Sequence, residues 1–210
     1  MNRAILHMNM LCLLIALVPT AGAQKKQSPS STPVRDVEYS DRTMNILPDL
    51  ARRYRVVIGV SGIIIGTDNA KVNIVVRRGT LADVFNAITS RDSRFQWHQS
   101  DNGSIHFSVG NSPLSLANVS VRAFEVHNPI RIDFSSQIAR IPEVHAWLSE
   151  HNCLLEQLFM GKPPTWKHFS IQRENAPVSS LFDEAASKSE TYFWAAILYT
   201  GNPCRINVSF

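Results

Sequence analysis

The stretch TLADVFNAITSRDSRFQW, residues 80–97, carries the spacing from which the fold of this chain can be read. Leu81, Val84, Phe85 and Ile88 fall at i, i+3, i+4 and i+7, the apolar stripe of one helix face. Thr80 stands before the stripe as an N-cap, and Asp83 occupies the position of a weak capping box. Near the other end of the chain, PVSSLFDEAASKSETYFW (177–194) aligns with it without a gap, at a constant offset of 97 residues. Leu81 falls on Val178, Phe85 on Phe182, Ser90 on Ser187 and Trp97 on Trp194; upstream, Ile74 falls on Ile171. Matches at a helical period that end on the rarest residue type predict one structural unit used twice. The alternative, that any α/β chain reuses helix-then-hairpin packing, stays open on sequence grounds.

Working outward, the first half reads β-α-β-β-α-β-β over residues 36–109. VEY (37–39) is a short alternating strand. Leu47, Leu50, Ala51 and Tyr54 form the next helical face. Pro48 is compatible with that helix only in its first turn, which sets the start between Thr43 and Leu47. RVVIGV (55–60) reads as a strand, SGIIIGTDNA (61–70) as a Gly-bounded connection, and KVNIVV (71–76) as a strand with Val72, Ile74 and Val76 on one face. After the helix, RFQWH and SIHFSV alternate around SDNG (100–103), a hairpin signal.

The second half repeats the outline. VRAFEV (121–126) is its first strand, and PEVHAWLSEH (142–151) its first helix, with Val144, Trp147 and Leu148 on one face. KHFSIQ (167–172) leads into a helix beginning near Pro177, with Val178, Leu181, Phe182 and Ala185 as its stripe. TYFWAAILY and CRINVSF close the half as a hairpin around TGNP (200–203), four residues longer than the first. The fold class expected is therefore α/β (α+β): two small mixed-sheet βαβ-type units, at 36–110 and 117–210. Their equivalent hairpin positions assign Trp97 and Trp194 to core packing in preference to a ligand groove.

Residues 1–23 combine Arg3, the apolar run MNMLCLLIALV and a terminal TAGA with Ala21 and Ala23 at signal-peptidase positions. They read as a secretory signal cleaved after Ala23, the competing reading being a retained anchor helix. Cys12 lacks the small residues that precede an acylated cysteine. The polar, Ser/Pro-rich 24–35 reads as a flexible lead-in, and residues 1–35 are expected to pack against nothing. No later segment approaches about 18 continuous apolar residues, so no integral membrane segment is expected after processing.

Loss of the signal removes Arg3 alone, leaving 20 basic and 17 acidic side chains. That mild excess, with export, argues against nucleic acid as a partner. Arg52, Arg53, Arg55, Arg77 and Arg78 read as solvated faces in preference to a patch for an acidic partner. Two cysteines remain, Cys153 and Cys204. They are a candidate disulfide in an exported chain, the alternative being two buried thiols. A bridge would tie the strand after the second half's first helix to its final strand.

Catalytic, cofactor and metal signatures are not found. His145 and His151 lie six residues apart, about 600° of helical turn, and face different directions. His98 and His106 can meet across the first hairpin as a cross-strand structural pair. Asp41, Glu143 and Glu150 have no partner at acid–base spacing. There is no G-x-S-x-G, phosphate loop or H-E-x-x-H. A small exported hydrolase, with an unrecognised site among His145, His151, Asp183 and Glu184, is the enzymatic alternative.

The order of elements over 36–109 resembles the short N-terminal domain shared by secretins and TonB-dependent receptors. The residues that carry the likeness are Leu50–Ala51 closing an amphipathic helix, Thr80–Leu81 opening the next, and an aromatic hairpin bearing Trp97. About 75 of the 210 residues are covered. The pattern is mostly apolar spacing, and no secretin or receptor barrel is expected within the remaining residues of this sequence. The resemblance implies a non-enzymatic recognition module detached from the pore, without a cofactor, exported to the periplasm or the outer-membrane surface. Its partner would be an envelope protein of secretion, transport or signalling. An accessory subunit of a secretion or pilus apparatus is a variant of the same reading.

Overall fold

The two aligned helices form where their stripes place them. The structure is a computed structural model that describes residues 28–63, 71–110, 115–129, 131–157, 166 and 168–210. In α2 (Leu81–Arg91) both halves of the capping box are made: the Asp83 amide donates to Thr80 Oγ1, and the Thr80 amide to Asp83 Oδ2 at 2.7 Å. Its four stripe residues are buried. In α5 (Val178–Lys188) Val178, Leu181, Phe182 and Ala185 are buried as well, and Pro177 precedes the helix without a side-chain cap.

Around α2 the first unit comprises β1 (Pro33–Asp41), α1 (Thr43–Tyr54), β2 (Ile58–Ile63), β3 (Val72–Thr80), β4 (Phe95–Gln99) and β5 (Ile105–Val109). The second comprises β6 (Ser120–His127), α3 (Arg131–Ala139), α4 (Pro142–Glu150), β7 (Cys153–Gln157) and β8 (Ser170–Pro177), then α5, β9 (Phe193–Tyr199) and β10 (Cys204–Ser209). In each unit the first strand pairs antiparallel with the strand before the stripe helix, β1 with β3 and β6 with β8. In each, the carbonyl just before the first strand accepts from the first amide of that helix: Thr32 from Leu81 and Val119 from Val178.

The other strands form one six-stranded sheet in the order β4-β5-β2-β9-β10-β7. Its left half, β4-β5-β2, and its right half, β9-β10-β7, have the same order and the same pairing: antiparallel, then parallel. The strand order is not opposite in the two halves, so the arrangement is a repeat. The joint is β2 against β9, and it is parallel. Since β4 runs against β2, the corresponding strand β9 runs against β4. The second unit is therefore turned over relative to the first, with its helices on the opposite face of the shared sheet.

Two cores follow from that inversion. Phe193, Ala195 and Ile197 of β9 join the first core, with Leu50, Phe85 and Phe107. Trp194, Ala196 and Leu198 join the second, with Phe134, Phe182 and Val208. This is why β9 is buried at six successive positions, Phe193 to Leu198, where an outer strand alternates.

Several expectations need correction. The signal segment and cleavage after Ala23 lie outside the described residues, but 28–35 do not lack packing. Pro29–Ser31 form a 3₁₀ turn, β1 starts at Pro33, and Val34 is buried because β3 supplies it a ladder partner in Gly79. α1 starts at Thr43, the early limit of the expected range, and this puts Pro48 beyond the first turn. Burial of Ile46, Leu47, Leu50 and Ala51 outweighs the one lost helical hydrogen bond. β2 begins three residues later than RVVIGV, because Arg55 ends α1 in the left-handed conformation (φ 51°) and Val56 and Val57 complete the turn. The second unit has two helices, α3 and α4, where one was expected; Phe134 and Ile138 of α3 seal its core.

Candidate functional site

The repeat extends to side-chain chemistry. In the first unit the Trp97 indole lies edge-on to Phe85 (5.2 Å between centroids), and its Nε1 donates to Asn86 Oδ1 at 2.9 Å. At the same offset of 97, Trp194 packs on Phe182 (5.2 Å) and its Nε1 donates to Asp183 Oδ1 at 2.7 Å. Both tryptophans pack as expected. Trp97, on the edge strand β4, is half-buried, whereas Trp194, on the inner strand β9, is 1 % exposed.

Two residues of the first unit adapt to that burial. Gly59 of β2 is the register partner of Trp194, and an added Cβ would overlap the indole. Asp183, 4 % exposed, stands where the first unit has the exposed Asn86. Its carboxylate accepts from three directions: Trp194 Nε1, Asn102 Nδ2 at 3.0 Å, and His106 Nε2 at 3.0 Å to both oxygens. A carboxylate only accepts, so His106 carries its proton on Nε2. His98 and His106 do meet as cross-strand partners, with rings edge-on at 5.5 Å. Burial, and then the neighbouring His106, hold the His98 imidazole below its ordinary pKa.

This polar seam has a geometric cause. His98, His106, Ser108 and Ser61 project from the face of β4-β5-β2 opposite to the first unit's own helices. The inverted second unit lays α5 across part of that face. Where α5 does not reach, a cleft of about 570 Å³ remains, walled by this strand face, by Asp101 and Asn102, by Ser115, Ala117 and Asn118 between the units, and by Ser179, Ser180 and Asp183 of α5.

The residues singled out in the sequence are mostly elsewhere. His145 is exposed on α4, and His151 stacks on Trp147 at 4.4 Å. Glu184 pairs with Arg173 (2.5 Å) and Lys188 (2.6 Å). No hydrogen bond joins any two of His145, His151, Asp183 and Glu184 among the described residues. Glu143 holds Arg122 at 2.6 Å, which lowers the carboxyl pKa. Asp41 accepts from the Arg42 amide and Asn45. Arg52, Arg53, Arg55, Arg77 and Arg78 are exposed. Among the described residues no group of three His, Cys, Asp or Glu side chains could hold a metal ion, and no helix is long and apolar enough to cross a membrane.

Cys153 and Cys204 form a disulfide. They are register partners at the start of the parallel strands β7 and β10, with Cα atoms 4.4 Å apart. The Asp183–His106 contact was not read from the sequence. The one hint lay in the alignment, where an acid replaces Asn86 within an otherwise shared pattern.

Sheet edges are the second feature of the surface. Among the described residues β4 and β7 are the edge strands of the six-stranded sheet, and each strand of the pairs β1-β3 and β6-β8 also has a partner on one side only. On β7 the side chain of Leu154 is half exposed, one of three large apolar side chains exposed among those described. No protein-family model matches the chain, and no curated protein matches it.

Proposed function

We propose that the chain is a non-enzymatic interaction module of the cell envelope, related to the short N-terminal domain of secretins and TonB-dependent receptors, which captures an extended segment of a partner protein on a sheet edge. One observation carries this reading: the chain holds itself together by edge addition, β2 of one unit accepting β9 of the other. The corresponding edges left over are β7, the counterpart of β2, and β4, the counterpart of β9. An open edge offers a row of backbone donors and acceptors, and a partner strand satisfies them while alternate side chains supply selectivity. Leu154 gives the β7 edge an apolar contact for such a strand. A subunit of a secretion or pilus apparatus would use the same edge with a different partner.

The test is capture from envelope extract with a photo-crosslinking residue at position 154 on β7 and, separately, at the exposed Gln96 on β4. The expected result is one envelope protein crosslinked at one of these edges and lost on Leu154→Lys or Gln96→Lys. Recovery of no envelope protein under several detergents, or equal crosslinking from the exposed Arg52 on α1, would overturn the reading.

A further inference from the structure

The joint between the two units is one step of an operation that the chain leaves open to repetition. β2, the outer strand of the first half-sheet, accepts β9 in parallel, and the second unit enters turned over. At the far ends of the six-stranded sheet stand β7, the counterpart of β2, and β4, the counterpart of β9. Set side by side in parallel, β7 of one copy and β4 of another repeat the internal joint, and the added unit is again turned over relative to its neighbour. The pairs β1-β3 and β6-β8 take no part in the internal joint and give no such pattern to repeat.

Side chains on both sides of that joint fit the repetition. Cys153 and Leu155 of β7 turn to the second core, so Leu154 points to the opposite face. There Leu154 shares a row with Arg205 of β10 and Tyr199 of β9, and all three are exposed. At the internal joint the matching face of β2 is the one against which α5 lies. An added copy therefore brings α2, the counterpart of α5, to the side that bears this row. Ser209 and His106 hold the same place in the two hairpins, opposite Ala195 and His98, which makes Arg205 the counterpart of Asn102. Asn102 reaches Asp183 across the internal joint. Asn86, the counterpart of Asp183, is exposed on α2 with the exposed Asp83 a turn before it. Arg205 of one copy thus meets an amide oxygen and a carboxylate of the next.

We propose that the chain assembles with itself head to tail, β7 of one copy accepting β4 of the next in parallel. This rests on the edge-capture reading and names the strand captured. Each addition leaves one β7 and one β4 free, so the contact is heterologous and a dimer does not close on itself. β7 has no glycine to take Trp97 as Gly59 takes Trp194, so the joint between copies is weaker than the internal one and reversible.

The purified full chain is sedimented at rising concentration. Its weight-average mass should pass that of a dimer by about 500 µM, for a Kd on the order of 100 µM or tighter. Leu154→Lys and Gln96→Lys, checked for native-like thermal unfolding, should each stay monomeric alone. Mixed in equal amounts they should form dimers and nothing larger, since each supplies the edge the other lacks. Arg205→Glu should weaken assembly several-fold. In the purified native chain, a photo-crosslinking residue at position 154 should join a peptide of another copy that contains β4 or α2. Self-assembly is overturned by a native chain monomeric at about 500 µM, by a mixture that stays monomeric, or by a crosslink to any other surface of the second copy. A monomeric native chain that still crosslinks one envelope protein from position 154 would sink self-assembly alone; one that does neither would sink the edge-capture reading with it.

Discussion

Trp194 of β9 lies across the backbone of Gly59 of β2, its register partner: a Cβ at position 59 would stand 2.8 Å from the indole Nε1 and closer still to two ring carbons. The ring cannot retreat, because Asp183 holds its N–H and Phe182 its face. Gly59→Ala should therefore destabilise the chain by about 1 to 3 kcal/mol, the ordinary cost of overpacking, with a red shift of tryptophan emission. Urea unfolding checks this, with Ser61→Ala on the same strand as the control. A Gly59→Ala protein as stable as the native one would mean that the two units do not meet at this strand pair.

The two tryptophans should respond unequally to loss of the same atom. Trp97→Phe removes a bond to the exposed Asn86, which water replaces, at a cost of about 0.5 to 1 kcal/mol. Trp194→Phe removes one of three donors from the buried Asp183 carboxylate and should cost about 1.5 to 3 kcal/mol, before any change in packing. Equal costs in parallel urea melts would show that Asp183 is no more dependent on its donors than Asn86.

The bridge between Cys153 and Cys204 spans a sequence separation of 51. By the chain-entropy estimate its loss costs roughly 4 kcal/mol. Cys153→Ser/Cys204→Ser, unfolded in urea beside the native chain with and without reductant, should match the reduced native protein. Two free thiols in native protein isolated under oxidising conditions would remove the bridge.

Acid should weaken the fold through Asp92. The bond from Arg94, and then that from Thr43, hold this carboxyl below its ordinary pKa. A depressed folded pKa stabilises fully above the unfolded value of about 3.9, and the contribution is lost as pH falls from there through the folded value. The exposed Asp83 and the half-buried Asp41 and Glu143 shift the same way and add to the slope. Asp92→Asn should cost about 1 to 2 kcal/mol at pH 7 and flatten the decline below pH 4. An unchanged acid slope in Asp92→Asn would assign that decline to the surface carboxylates alone.

What the sequence determined by itself is local. The stripe Leu81, Val84, Phe85, Ile88 and its counterpart on α5, the Thr80–Asp83 box and both hairpins rest on residues within about a turn of one another, so their spacing specifies them. The repeat was legible for the same reason, since an alignment compares local patterns. Pro48 sits past the first turn because the core that Leu47, Leu50 and Ala51 reach, which local spacing does not show, outweighs its local cost. α3 is not legible in the sequence because its two buried apolar residues, Phe134 and Ile138, make too short a pattern. Only the tertiary structure decided that β2 accepts β9 in parallel, that the second unit is therefore turned over, and that Asp183 meets His106 across 77 residues. These follow from which open edge finds which partner, and backbone hydrogen bonds along a strand edge are nearly independent of sequence; in this chain the choice rests on a missing side chain at Gly59 and an indole at Trp194 that fits over it.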